Sequence, residues 1–326
     1  MNLRDGLLRR AKGVPRRVIF PEGEDQRIIE ASSRMAIGRT AIPVVLASRQ
    51  SCQASFPDLS LEGIEFIEPS EHPDAEALAN LYASRRKGVT GKMALRLMKR
   101  PLYLAGMLLS RGDVDAMIAG ATKSTGQVVA AALLTIGLDD RISQPSSFFL
   151  MLLPGPPERL LVFADCALEV DPNPEELADI TILTAGNTQR LLDLDPRVAL
   201  LSFSTHGSAK HARVEKVKKT LEIIRTREPD LLVDGELQLD AALSPEVAQR
   251  KCPGSPLGGE ANVLIFPDLD SGNIGYKLTQ YLGGAQAVGP VTQGFRKPVN
   301  DLSRGASVKD IFLLAAISSI QAGMAA

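Results

Sequence analysis

The chain has 326 residues, 44% of them hydrophobic, enough for two α/β domains that each close a core of their own. Its 37 Lys and Arg against 38 Asp and Glu leave a formal charge of -1, which excludes general nucleic-acid binding, because affinity for a phosphate backbone needs a net basic surface. The three scattered cysteines (Cys52, Cys166, Cys252) exclude a disulfide framework or a zinc site, no apolar run reaches the ~18 residues of a membrane span, and Met1-Asn-Leu-Arg-Asp-Gly lacks a signal peptide's apolar core, so a cytoplasmic protein is expected.

In chain order, Arg17-Val-Ile-Phe20 and Ile42-Pro-Val-Val-Leu46 predict strands around a helix over 24–37, the βαβ signal of a parallel sheet. A second unit follows: strand 114–119, a small-residue loop over 120–126 and a helix over 127–136. Strands at 147–153 and 160–164 flank Pro154-Gly-Pro-Pro-Glu158 and predict a hairpin. The rest alternates again, with helices over 175–192, 209–226, 240–249 and 272–282 and strands over 198–203, 231–233 and 262–266. The last segment, 308–322, is apolar on nearly every side and predicts a buried helix that needs a partner surface. No short-period repeat, low-complexity tract or flexible linker interrupts this doubly wound α/β pattern.

Chemistry concentrates in Gly289-Pro-Val-Thr-Gln-Gly-Phe-Arg-Lys-Pro-Val-Asn-Asp-Leu-Ser-Arg-Gly305, read as a glycine-bounded loop. Arg304 can grip an oxyanion in bidentate fashion, Ser303 can donate to a developing negative charge, and Asp310 follows at the head of the last helix. That combination suits acyl or phosphoryl transfer. Ser307-Val-Lys-Asp310 also has capping-box spacing, so on spacing alone Asp310 is a helix cap. Ser204-Thr-His-Gly-Ser-Ala-Lys210 lies between a strand and a helix, where hydroxyls and N–H groups of Ser204, Thr205, Gly207 and Ser208 can face an anion, or Ser208 can simply cap the helix. Gly120-Ala-Thr-Lys-Ser-Thr-Gly126 has the same strand-loop-helix form and offers Lys123, Ser124 and Thr125. The pairs Arg85-Arg86 and Lys99-Arg100 are candidate contacts for a polyanionic small molecule.

The signature around Ser303 resembles that of the phosphate acetyl/butyryl transferase family, enzymes that exchange acyl groups between coenzyme A and inorganic phosphate. Further matches occur in the same order along most of the chain: Phe20-Pro-Glu-Gly-Glu-Asp25, the 201–210 segment, Val233-Asp-Gly-Glu-Leu-Gln238 and Ala261-Asn-Val-Leu-Ile-Phe-Pro-Asp-Leu269. The resemblance implies two doubly wound α/β domains of isocitrate/isopropylmalate dehydrogenase-like architecture. The first would span 1–143 and 293–326, completed by the C-terminal helix, and the second 144–292, with a cleft between them.

By the same resemblance, Arg304 holds phosphate, Ser303 stabilises the transition state, and Asp310 takes the proton from the CoA thiol. Because a thiol is a far weaker acid than a carboxylic acid, that transfer must be concerted with attack or aided by burial. The resemblance also implies substrate contacts from Arg85, Lys123, Ser124, Thr125, Ser204, Thr205, Gly207, Ser208, Asn300 and Tyr281, with coenzyme A as a substrate, no tightly bound cofactor, no metal and a homodimeric assembly. Asp234, Glu236, Asp268 and Asp270 imitate a metal cluster in sequence only. At two positions the chain departs from the family: Ala130 and Tyr281 stand where members usually carry arginine, while Arg85 matches a third. Since a charge-assisted hydrogen bond contributes ~1.5–3 kcal/mol, Lys123 and Arg86 are the expected replacements.

The expected reaction is reversible acetyl transfer between acetyl-CoA and phosphate by direct thiolate attack in a ternary complex. Competing readings are a non-catalytic acyl-CoA-binding regulatory module, a transferase for another short acyl group such as propionyl, and an oxidoreductase of the isocitrate dehydrogenase type. The last has no support from a dinucleotide glycine fingerprint.

Overall fold

The computed structural model of the chain describes residues 3–13, 15–156 and 158–324, so Met1, Asn2 and Pro157 of the stretches read above lie outside the described residues. It divides into two units, 1–139 with 295–326 and 140–294. The first runs α1 (Leu3–Gly13), β1 (Arg17–Phe20), α2 (Gln26–Gly38), β2 (Ile42–Leu46), α3 (Arg49–Ser55), β3 (Glu65–Ile67), α4 (Ala75–Ser84), α5 (Gly91–Met98), α6 (Pro101–Arg111), β4 (Ala116–Ala119) and α7 (Thr125–Thr135). The second holds β5 (Ser146–Leu153), β6 (Arg159–Ala164), α8 (Pro174–Leu192), β7 (Val198–Leu201), α9 (Ala212–Arg227), β8 (Val233–Leu237), α10 (Leu239–Leu243), α11 (Pro245–Lys251), β9 (Val263–Ile265), α12 (Leu269–Tyr281) and β10 (Gln286–Gln293). The chain then re-enters the first unit with β11 (Val299–Asp301) and α13 (Val308–Met324).

The first sheet has the order β11-β4-β1-β2-β3 and is parallel throughout. Apart from the edge strand β3, which is exposed or half-buried, its strands are largely buried on both faces, as apolar runs such as Val18-Ile-Phe20 require. Asp25 caps α2 by accepting from the Arg27 N–H, and Ile28, Ile29, Ala31, Ser32 and Met35 form the helix's buried stripe. The partner surface demanded by α13 is α1, α2 and β4, and residues Ile311 and Leu313 to Gln321 are buried there.

The second sheet has the order β10-β5-β6-β9-β7-β8, antiparallel across β10, β5 and β6 and parallel beyond. The hairpin predicted around residues 154–158 is β5 paired with β6. Among the described residues no helix is long and apolar enough to cross a membrane, and all three cysteines are buried free thiols.

Several expectations change. The helix expected from 209 starts at Ala212 with His211 as its cap, and the one expected over 240–249 breaks into α10 and α11, with the Ser244 hydroxyl capping α11 by accepting from the Val247 N–H. The strand expected over 231–233 lies later in the chain, as β8 begins at Val233 and runs to Leu237. The stretch 289–305, read as one loop, carries the end of β10 and all of β11, so only 302–307 is irregular on the Ser303 side.

Candidate active site

β11 pairs with β4 up to Asp301 and Ala119, and the Leu302 N–H closes the ladder on the Ala119 carbonyl at 2.7 Å. The chain then turns sharply: the Ala306 N–H donates to the Ser303 carbonyl at 2.8 Å and the Gly305 N–H to Ser303 Oγ at 3.3 Å. Ser303, Arg304 and Gly305 are exposed, and the Arg304 side chain has no partner among the described residues. At the head of α13 the Ser307 N–H and hydroxyl both donate to Asp310 Oδ2, at 2.9 and 2.7 Å, while the Asp310 N–H donates to Ser307 Oγ at 3.3 Å. This is the reciprocal box anticipated from spacing. A hydroxyl, a guanidinium and a carboxylate are thus presented on one turn-to-helix junction.

Beside this junction, the loop after β4 is closed on an internal anion. The Glu22 carboxylate accepts from the N–H groups of Gly120, Ala121, Thr122 and Lys123 at 2.6–2.9 Å, and from the Thr122 hydroxyl at 2.7 Å. A nest of converging amides binds an anion, and here the anion is a side chain. The loop's amides are thus taken by Glu22, and its side chains are what it presents outward. Ser124 is the N-cap of α7 in a capping box with Gln127, and the Thr125 hydroxyl donates to Asp301 Oδ2 at 2.6 Å.

Asp301 is 2% exposed, and its Oδ1 has no hydrogen-bond partner among the described residues. Burial, opposed by the Thr125 hydroxyl and reinforced by the nearby Glu22, raises its pKa to about 6. Gly120 makes room for it. With φ at +107°, a side chain there would strike Asp301 and lie 2.7 Å from the Leu302 backbone.

Asn300, one residue earlier on β11, is fully buried and its amide donates to Ser318 Oγ and Gln321 Oε1, each at 2.8 Å. Strand alternation turns it toward α13 and away from the exposed turn.

A cavity of about 1410 Å³ lies in the first unit, and Lys99, Arg100, Lys123, Gln127 and Ala130 are among its lining residues. Arg85 and Arg86 line a different pocket, of about 510 Å³, together with Arg296 and Lys297. Arg86 donates to the carbonyls of Leu133 and Leu134 at 2.6–3.1 Å, capping the end of α7, and Arg85 donates to Ser110 Oγ at 2.7 Å. The cations that share a cavity with Lys123 and Ala130 are therefore Lys99 and Arg100, and the expected help from Arg86 is taken up by helix capping.

In the second unit the 204–208 loop is also closed on a carboxylate. Glu236 accepts from the Ser204 hydroxyl at 2.9 Å and the Gly207 N–H at 2.7 Å; burial disfavours its charge, yet these donors outweigh that and its pKa is lowered. Ser208 Oγ accepts from the Thr205 N–H, and Thr205 Oγ1 faces Gln238 Oε1 at 3.3 Å while accepting from the Gln238 N–H. Ser208 is no helix cap, since α9 begins four residues later.

His206 pairs with Asp234 at 3.1 Å, and Arg225 reaches the same carboxylate. Asp268 caps α12 through the Ser271 N–H. Tyr281, 80% exposed, sits at the end of α12 on a stripe with Ile274, Leu278 and Leu282.

Reading residues in isolation missed Glu22, Arg27 and Asp301. The signal available was their setting: a Glu and an Arg just after a strand, and an Asp directly ahead of the Ser-Arg pair.

A family model described as phosphate acetyl/butaryl transferase matches residues 2–319. A phosphate acetyltransferase of Clostridium acetobutylicum is 42% identical over 329 residues, covering 99% of both chains. The crystal structure of a phosphotransacetylase from Streptococcus pyogenes superposes with a TM-score of 0.94 at 40% identity, over 99% of this chain and 98% of that one. A 4-hydroxythreonine-4-phosphate dehydrogenase from Klebsiella pneumoniae, at 14% identity and a TM-score of 0.52 over 94% of this chain and 98% of that one, shares the fold alone.

Proposed function

Because the chain belongs to the phosphate acetyl/butyryl transferase family, we propose that it is a phosphate acetyltransferase, exchanging acetyl groups reversibly between acetyl-CoA and inorganic phosphate. The observation that carries this reading is the junction of Ser303, Arg304 and Asp310: two exposed polar groups on a short turn, and a carboxylate whose partners, the N–H and hydroxyl of Ser307, can give way to a substrate proton.

In the direction of thioester synthesis, Arg304 holds the phosphate of acetyl phosphate. The CoA sulfur attacks the carbonyl carbon as Asp310 takes the thiol proton, and Ser303 donates to the oxyanion that forms. Collapse of that oxyanion breaks the C–O bond to phosphate, and the proton held by Asp310 leaves with the departing phosphate. No covalent intermediate with the protein is required, and the same oxyanion serves the reverse reaction.

Coenzyme A is thus a substrate and no tightly bound cofactor is needed. The three free buried thiols suit a reducing cytoplasm. The exposed stripe of Ile274, Leu278, Tyr281 and Leu282 favours a homodimer, since an apolar face of this kind is a self-association surface. Sedimentation analysis reads the assembly directly.

Release of free thiol from acetyl-CoA that depends on added phosphate tests the activity, with propionyl-CoA as the competing acyl donor. The missing guanidinium groups at Ala130 and Tyr281 favour a second reading, a module that binds acyl-CoA without turnover. CoA binding with no thiol release would establish that reading instead. Reduction of added NAD or NADP by a hydroxy-acid substrate, assayed in parallel, would point to the dehydrogenase reading instead.

A further inference from the structure

We propose that Arg27 is a positioning residue for Ser303 and Arg304, holding their turn in the conformation that the proposed acyl transfer needs. A guanidinium has five N–H donors in a rigid planar fork, and all five of Arg27 are engaged. Nε donates to Asp25 Oδ1 at 3.0 Å and one terminal nitrogen to Asp25 Oδ2 at 2.7 Å and the Ala121 carbonyl at 3.0 Å. The other terminal nitrogen donates to the carbonyls of Arg304 and Ala306, at 2.8 and 2.9 Å.

Two of these acceptors, the carbonyls of Arg304 and Ala306, lie on either side of Gly305 and hold the C-terminal half of the turn, starting from the peptide unit that follows the Arg304 side chain. The third belongs to the loop that Glu22 anchors, so Arg27 ties the Ser303 turn to a rigid neighbour. Asp25 completes the device: it caps α2 and, hydrogen-bonded to Arg27, is held below the usual carboxylate range. Arg27 does not itself present a free donor to solvent.

Among the described residues, the exposed turn is otherwise fixed by the bonds from Ala306 to the Ser303 carbonyl and from Gly305 to Ser303 Oγ, with the Leu302–Ala119 bond at its entry. Displacing a group that binds the reacting atoms by about 1 Å lowers a rate roughly 10²-fold. Lysine in place of Arg27 keeps the charge, but its three donors radiate from one atom and cannot span Asp25, Ala121, Arg304 and Ala306 together.

The inference rests on the acetyltransferase reading, so its test has one readout that needs no activity. Arg27→Lys and Arg27→Ala would be compared with wild type in phosphate-dependent thiol release, thermal unfolding and hydrogen–deuterium exchange over residues 303–307. Arg27→Lys should stay folded, lose turnover roughly 10–100-fold with a nearly unchanged KM for CoA, and exchange faster over 303–307. Millimolar guanidinium should partly restore Arg27→Ala, whereas a purely structural loss would be unchanged by it, since that concentration lies far below the denaturing range.

Wild-type turnover and wild-type exchange in Arg27→Lys would overturn the proposal. So would a loss of activity matching the unfolded fraction, with no guanidinium rescue. A wild-type protein without turnover would instead overturn the acetyltransferase reading, leaving the exchange measurement to decide the role of Arg27.

Discussion

Asp310 accepts two hydrogen bonds from Ser307, one from its N–H at 2.9 Å and one from its hydroxyl at 2.7 Å, so the carboxylate assigned as base closes the first turn of its own helix. The two roles are separable. Asn remains a competent acceptor for the Ser307 donors but cannot take a proton, so Asp310→Asn should lower turnover at least ~10²-fold with stability and CoA affinity nearly unchanged. Asp310→Ala should in addition lose about 1 kcal/mol of stability in urea unfolding. Near wild-type turnover in Asp310→Asn would remove it from the mechanism.

Ser303→Ala should reduce turnover roughly 10–10³-fold, as loss of one oxyanion donor does, with little change in KM. Arg304→Ala should chiefly raise the KM for phosphate and acetyl phosphate, because its exposed guanidinium has no partner to lose among the described residues. An unaltered phosphate KM would detach Arg304 from the anion.

Lys123 shares its cavity with Ala130, Lys99 and Arg100. If these flexible charges replace the arginine absent at 130, CoA affinity should fall steeply as salt rises across the range where the Debye length shrinks from ~10 Å to ~3 Å. Lys123→Ala should weaken CoA several-fold, and adding Ala130→Arg should recover part of the loss. A CoA constant indifferent to Lys123→Ala would make Lys123 an ordinary surface residue.

The raised pKa of Asp301 carries a definite sign. Between about pH 4 and its folded value of about 6, the folded protein retains a proton that the unfolded chain has released, so this group's contribution to stability declines as pH rises through that window and is constant above it. Asp301→Asn can still accept from Thr125 but has no charge to bury. Relative to wild type it should gain up to about 3 kcal/mol between pH 4 and pH 7.5 in urea unfolding. Parallel stability curves would contradict this.

Glu22→Gln tests the closed loop. An amide has one acceptor oxygen for the four backbone donors and one hydroxyl that the carboxylate serves, and its own NH₂ would face N–H groups. A loss of about 2–4 kcal/mol in unfolding free energy is expected. A loss under 1 kcal/mol would mean that the loop holds its shape without the anion.

Local pattern was enough for much of the frame. The apolar runs at 17–20 and 42–46 are β1 and β2, and the one at 114–119 becomes β4 from Ala116 onward, because a strand buried on both faces declares itself by composition. The Ser307-Val-Lys-Asp310 cap was legible for the same reason: its partners are three residues apart. The five helices and strands between 49 and 111 were not read, for lack of a sustained period between their many breaks.

The Ser303 region was misread where its structure depends on distant partners. Gly289-Pro290 argues against a strand by any local rule, yet β10 lies at a sheet edge with an irregularity between Val288 and Val291, where a missing N–H is tolerated. β11 has three residues and exists only because β4, some 180 positions earlier, offers its open edge.

Once β11 is a strand, Asn300 and Asp301 must point to opposite faces, one into the α13 core and the other to Thr125. The residue types able to hold phosphate and move a proton were evident from the sequence itself. Which of them meet solvent and which are consumed by Glu22, Glu236, Ser318 or Arg27 was decided by tertiary structure, because hydrogen-bonding capacity belongs to a residue while its partners are supplied by the fold.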